Sequence, residues 1–194
     1  VLSPVDKLLW AIIGLLLTIC GVFIEVAIPL PVLSWPFDLS QVSSNTLGVT
    51  LQVGAVLLVA CMGGRDAAAL SQIAYLVLGL VGFNVFAQGS GLAYLREPTF
   101  GYLIGFLIAA WIAGDLAFRL PQKLESLMLS CLAGLLVIHA CGIVYLTGLA
   151  VLGQLPTSWW NNLLNLSLLL LPGQLILVCA VAFTSWLLRR LLFY

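Results

Sequence analysis

Apolar runs of about twenty residues recur along this chain and restrict its fold more than any other feature. A run of that length spans the roughly 30 Å hydrocarbon core of a bilayer as a helix. In lipid every backbone N–H and C=O must find a partner inside the protein, which leaves only helices and closed barrels. A transmembrane barrel would show segments of about ten residues with alternating polarity, and these are missing here. The pattern therefore predicts an all-α integral membrane bundle, read as a single membrane domain over residues 1–194. The composition agrees, with 63% hydrophobic residues, 7% charged and a mean hydropathy of +1.20. A formal net charge of zero gives no argument for nucleic acid as a partner.

Six helical spans fit the hydropathy, at residues 8–28, 47–62, 67–83, 99–118, 127–149 and 163–188. Only Gly63, Gly64, Arg65 and Asp66 separate the second from the third, which predicts a tight helical hairpin. The first run is too long for a signal-peptide core and lacks an AxA-like cleavage site, so it reads as a retained span. On this topology Lys7, Arg65, Arg119, Lys123, Arg189 and Arg190 share one face and Arg96 lies on the other. The positive-inside bias then places both termini in the cytoplasm. Trp35, Trp159 and Trp160 fall in or beside the outer loops, as do the turn formers Pro29, Pro31, Pro36 and Pro156.

The second outer segment, residues 84–106, concentrates polar and flexible residues between two apolar runs: Asn84, Gln88, Gly89, Ser90, Gly91, Tyr94, Arg96, Glu97, Pro98 and Thr99. Irregular backbone at a membrane is tolerated where it is buried in protein or lines a cavity. This segment is thus a candidate wall or lid of a binding site. Polar side chains inside spans need partners or ligands, and Gln52, Gln72, Tyr75, His139 and Gln174 are such groups. Gln174 follows Pro172 and Gly173, which locally free backbone groups. Converging near the outer face, these groups would hold a small amphipathic molecule against apolar walls from Phe86, Tyr94 and Tyr102.

Other features have plainer explanations. Asp115 has Arg119 four positions on, a helix-side ion pair, and Glu25 sits near the outer end of the first span. Gly101, Gly105, Ala109 and Ala113 make a small-residue stripe for close helix packing. Gly14, Thr18 and Gly21 make a weaker one that would receive a partner's helix. Five cysteines, Cys20, Cys61, Cys131, Cys141 and Cys179, lie in apolar runs without a CxxC and read as small buried hydrophobes. The chain has no GxxxxGK[ST] loop, HExxH or GxSxG, so nothing supports an enzyme, a metal or a cofactor, and any ATP-driven step must borrow its ATPase.

Several of these segments resemble the BioY family, the biotin-binding S-components of energy-coupling factor (ECF) transporters. The resemblance lies in TLQ at Thr50, Leu51 and Gln52, YLxLGLxG from Tyr75, VFA from Val85 followed by glycines, and PTxGYLxGF from Pro98. Pro172 and Gly173 fall where the family has a PG in its last helix. The resemblance implies a six-helix subunit that captures biotin from outside and works with a transmembrane T-component and two ATPase subunits. The candidate ligand contacts of this chain are then Gln52, Tyr75, Asn84, Phe86, Gln88, Gly89, Gly91, Tyr94, Arg96, Thr99, Tyr102, His139 and Gln174. It also places T-component docking on small residues of the first helix, here Gly14 and Thr18. The family's PGDxxK becomes Gln174 and Leu177 in this chain, so the Asp and Lys are lost together. The position before VFA is Asn84 where the family commonly has Pro. Gln174 can still donate to and accept from a ureido ring, and Arg96 is the outward cation available to the valerate carboxylate. Similar HxxGIxYL and PGQ segments occur in cyanobacterial members, which points to the inner membrane of such a bacterium.

The same residues admit other readings: an S-component for a biotin-related compound, or a membrane scaffold whose polar groups satisfy one another. A solitary secondary transporter is disfavoured, because few intramembrane carboxylates are present to couple protons.

Overall fold

The computed structural model describes residues 3–31, 42–155 and 157–192. Among the described residues, five helical stretches are long and apolar enough to cross a membrane: α1 (Pro4–Val22), α2 (Gln52–Val81), α3 (Phe100–Arg119), α4 (Leu124–Val151), and a broken one over Trp159–Leu192. The last comprises a short α5 (Trp159–Leu163), a π-helical turn (Leu164–Leu168) and α6 (Leu171–Leu192). The hydropathy predicts one continuous span here, at residues 163–188. Pro172 lacks an N–H, so it is tolerated in the first turn of a new helix and not inside a longer one.

Where two spans are expected at residues 47–62 and 67–83, α2 is one element that doubles back. Gly64 carries φ 76° and ψ 177°, a conformation that L side chains rarely adopt. Gln52 and Tyr75 would lie about 34 Å apart along a straight helix, yet their side chains hydrogen-bond at 2.8 Å. The first arm, residues 52–63, is the central post of the bundle, with Val56, Leu57, Val59, Ala60, Cys61 and Met62 fully buried. A helix apolar on all sides is buried on all sides, and in lipid its stabilisation comes from close packing.

The segment expected as the first outer loop departs from the all-α expectation. The chain leaves α1 at Val22 and forms a two-stranded antiparallel ribbon, β1 (Glu25–Pro31) with β2 (Val42–Thr50). Glu25 therefore opens a strand instead of ending the first span. Pro29 and Pro31 lie in β1, which as half of a two-stranded ribbon has a free edge to accept them. Trp35, Pro36 and Pro156 lie outside the described residues.

Both small-residue stripes are consumed within the chain. On α3, a Cβ at Gly101 would stand 2.2 Å from the Tyr145 side chain, and one at Gly105 3.0 Å from the backbone of Ile138, so the stripe seats α4. On α1, a Cβ at Gly14 would meet Val59 at 2.8 Å and one at Gly21 would meet the Gln52 backbone at 2.9 Å. Thr18 is fully buried beside them, accepting from Gln72 at 3.1 Å. The face of α1 assigned to a T-component is thus occupied by α2. Of the five cysteines only Cys61 and Cys131 are fully buried, while Cys20 and Cys179 are exposed and Cys141 is half-buried. The buried-hydrophobe expectation holds for that one pair.

At one end of the bundle Lys7 pairs with Asp66 at 2.6 Å, and Asp115 with Arg65 at 2.9 Å and Arg119 at 2.7 Å. The expected Asp115–Arg119 pair is present and extends to the tip of the α2 hairpin.

Candidate functional site

At the other end of α3, a cavity of about 210 Å³ opens between the end of β2, the first arm of α2, the residue 87–99 segment, α3, α4 and the start of α6. Its lining is mostly apolar, with Val49, Val53, Leu103, Phe106, Ile138, Leu166 and Leu170 among the walls. Five of the residues assigned to ligand contact line it: Gln52, Tyr94, Thr99, Tyr102 and Gln174. A mostly apolar concavity with a few convergent polar groups is the usual form of a small-molecule site.

Tyr75, Phe86 and His139 stand behind that wall. The Tyr75 hydroxyl donates to the Val85 carbonyl at 2.9 Å and accepts from Gln52 Nε2 at 2.8 Å. A carbonyl can only accept, so the direction of this chain is set and Oε1 remains as the uncommitted acceptor of Gln52. Phe86 packs its ring on Tyr75 and Tyr94, with centroids 5.3 and 4.6 Å away. It is therefore a support and not a cavity wall. The Tyr94 hydroxyl pairs with Thr99 Oγ1 at 3.0 Å, and burial pushes its phenol above the ordinary value, keeping it neutral.

The glycine-rich segment is anchored from beneath. Gly91 N–H donates to the Gly79 carbonyl at 2.7 Å, with Gly91 at φ 82°, so a side chain there would be strained. The Tyr145 hydroxyl donates to the Leu95 carbonyl. Asn84 is exposed and accepts from Ser90 Oγ at 2.7 Å, which makes it a loop clip. Gln88 and Gly89 are exposed and Gly91 half-buried, none of them in the cavity lining. Arg96 is exposed at the end of the 3₁₀ turn Leu92–Arg96, two residues after Tyr94 and three before Thr99, but it does not line the cavity itself.

Two features were not singled out from the sequence. Gly48 and Val49 line the cavity from the end of β2, having been assigned to a helical span. Ser167 lies between Tyr102 Oη (2.6 Å) and His139 Nδ1 (3.2 Å). Its signal was a lone hydroxyl in the run LSLLLLP, which must find a partner. Leu177, at the family's Lys position, packs on Gly54, where a Cβ would stand 3.0 Å from it.

The model of the BioY family matches residues 2–193. This chain belongs to the BioY family. A protein of Cyanophora paradoxa described as an uncharacterized 21.2 kDa protein is 30% identical over 95% of both chains. A probable biotin transporter BioY of Lysinibacillus sphaericus is 37% identical over 74% of this BioY-family chain and 66% of its own length. Among solved structures, the S-component for biotin from an ECF-type ABC transporter shares the fold. It matches with a TM-score of 0.71 over 98% of this chain and 95% of that one, at 20% identity.

Proposed function

We propose that this BioY-family chain is the biotin-capturing S-component of an ECF importer, taking biotin from the outer face and delivering it inward with a T-component and ATPase subunits. Membership of a family whose relatives are named biotin transporters supports the ligand. The observation that carries the reading is the cavity, where Gln52 retains an acceptor and Gln174 contributes an amide on another wall. A ureido ring offers N–H donors and a carbonyl acceptor to match. Counting the arms of α2 separately yields six crossings with both termini cytoplasmic, in an inner bacterial membrane. The clustering of Lys7, Arg65 and Arg119 at the end of α3 away from the cavity supports that orientation.

Isothermal titration of biotin, dethiobiotin and biotin methyl ester into detergent-purified protein tests the reading. Nanomolar biotin binding is expected, and Arg96→Ala should weaken biotin more than the ester, because Arg96 is proposed to meet the valerate carboxylate beyond the cavity mouth. Equal loss for both ligands removes Arg96 from the site. No binding of any of the three would favour the scaffold reading.

Gln174→Leu is expected to cost biotin affinity about 1 to 3 kcal/mol, the cost of leaving a buried polar group unpaired. Unchanged affinity would make Gln174 a structural residue.

A further inference from the structure

Two polar groups on the cavity wall, the Tyr102 hydroxyl of α3 and the Gln174 amide of α6, are joined through two residues that do not line the cavity. Tyr102 Oη lies 2.6 Å from Ser167 Oγ, which lies 3.2 Å from His139 Nδ1, and His139 Nε2 lies 2.7 Å from Gln174 Oε1. All four residues are buried. Among the described residues no carboxylate forms an ion pair with His139. An imidazolium would be a buried charge without a counter-ion, so the ring is neutral and carries one proton.

A ring with one proton gives the chain of hydrogen bonds a direction. For Gln174 Oε1 to accept, the proton must be on Nε2. Nδ1 then accepts from the Ser167 hydroxyl, and Ser167 Oγ accepts from Tyr102. Tyr102 has spent its only proton inward and faces the cavity as an acceptor, while Gln174 faces it with the two donors of Nε2. We infer that His139 and Ser167 form a relay that holds Tyr102 and Gln174 in opposite hydrogen-bonding roles. Moving the proton to Nδ1 and turning the amide reverses both ends together: Tyr102 then donates to the cavity and Gln174 presents Oε1 as an acceptor. His139 and Ser167 are positioning residues, and neither is in the cavity lining. A wall of this kind selects a head group with a carbonyl acceptor beside an N–H donor, as in a cyclic urea or lactam. It discriminates against a donors-only head such as a cyclic guanidinium. The ligand side of this inference rests on the biotin reading, whereas the relay itself does not.

His139 is the single histidine of the chain, so ¹⁵N-histidine labelling reports one imidazole. In ligand-free protein in nanodiscs, the ring nitrogens should show a neutral ring protonated on Nε2. Ser167→Ala should shift it toward a mixture of tautomers, and Ser167→Thr, which keeps the hydroxyl, should restore it. An imidazolium at neutral pH, or a tautomer that Ser167→Ala leaves unchanged, overturns the relay. Titration with biotin and with 2-iminobiotin in its protonated form then tests selection. The preference for biotin should fall about tenfold in Ser167→Ala, the equivalent of one hydrogen bond of about 1.4 kcal/mol, and recover in Ser167→Thr. The same preference in wild type and Ser167→Ala overturns the coupling. Wild type that shows the expected tautomer but binds no biotin overturns the biotin reading and leaves the relay supported.

Discussion

Gly79→Ala is expected to unseat the glycine-rich segment, weaken biotin binding at least about tenfold and lower the melting temperature of the purified protein. A Cβ at residue 79 would stand 2.0 Å from Phe86 Cζ and 2.3 Å from its Cε1, well inside contact distance. The ring cannot slide away freely, because it is held between Tyr75 and Tyr94 and is 3% exposed. Overpacking of this kind costs about 1 to 3 kcal/mol. The strain falls on the element that places Tyr94 and Thr99 in the cavity wall, since the Gly79 carbonyl also receives the Gly91 N–H. Trimming the ring in Gly79→Ala/Phe86→Leu should recover part of both losses. Unchanged affinity and melting in Gly79→Ala alone would show that the loop does not depend on this seat.

Arg189→Leu is expected to be the most destabilising single change at the charged end, at about 2 to 6 kcal/mol from two buried carbonyls left short at roughly 1 to 3 each. Arg189 is 4% exposed. It donates from Nε to the Cys61 carbonyl at 2.9 Å, with Nη2 on the same oxygen, and from Nη1 to the Ala117 carbonyl at 2.9 Å. Both acceptors are helix-end orphans. The residue four positions beyond Cys61 lies past the break at Gly64, and the one four beyond Ala117 is Pro121, which has no N–H. One guanidinium thus caps the first arm of α2 and the end of α3 from α6, with its plane over Phe118 at 4.4 Å. Lysine cannot reproduce that fork, so Arg189→Lys should recover little. Arg190→Ala is the control: the side chain is exposed and packs beside Trp186, and its loss should shift melting only slightly. Equal shifts for Arg189→Leu and Arg190→Ala would refute the capping role.

Arg189 owes its role to partners that are distant in the chain. Counting charges by face needs only position along the chain, and it put Arg189 with the inner cations. That this one cation turns inward depends on two carbonyls that lie 128 and 72 residues away in sequence. The same limit applies to Gly14, Thr18 and Gly21: spacing marks a face that permits close approach, but not which helix approaches. It applies to Phe86 as well, whose aromatic character suggested a cavity wall until its ring was seen to fill the slot over Gly79.

What the sequence by itself determined is set by local physics. Apolar run length dictates membrane helices because lipid offers no partner to the backbone. Gly63 and Gly64 between two such runs dictate the reversal of α2, and the TLQ and PTxGYLxGF segments mark the family. The tertiary structure alone decided what depends on partners distant in the chain. It paired β1 with β2 although residues 47–50 continue an apolar run, since strand pairing is a property of two segments and not of one. It also brought Gln52, Tyr94, Thr99, Tyr102 and Gln174 to one cavity and moved Asn84 and Arg96 out of its lining. Ser167 between Tyr102 and His139 could be found only there, because a hydrogen bond needs both its ends, and these come from three different parts of the chain.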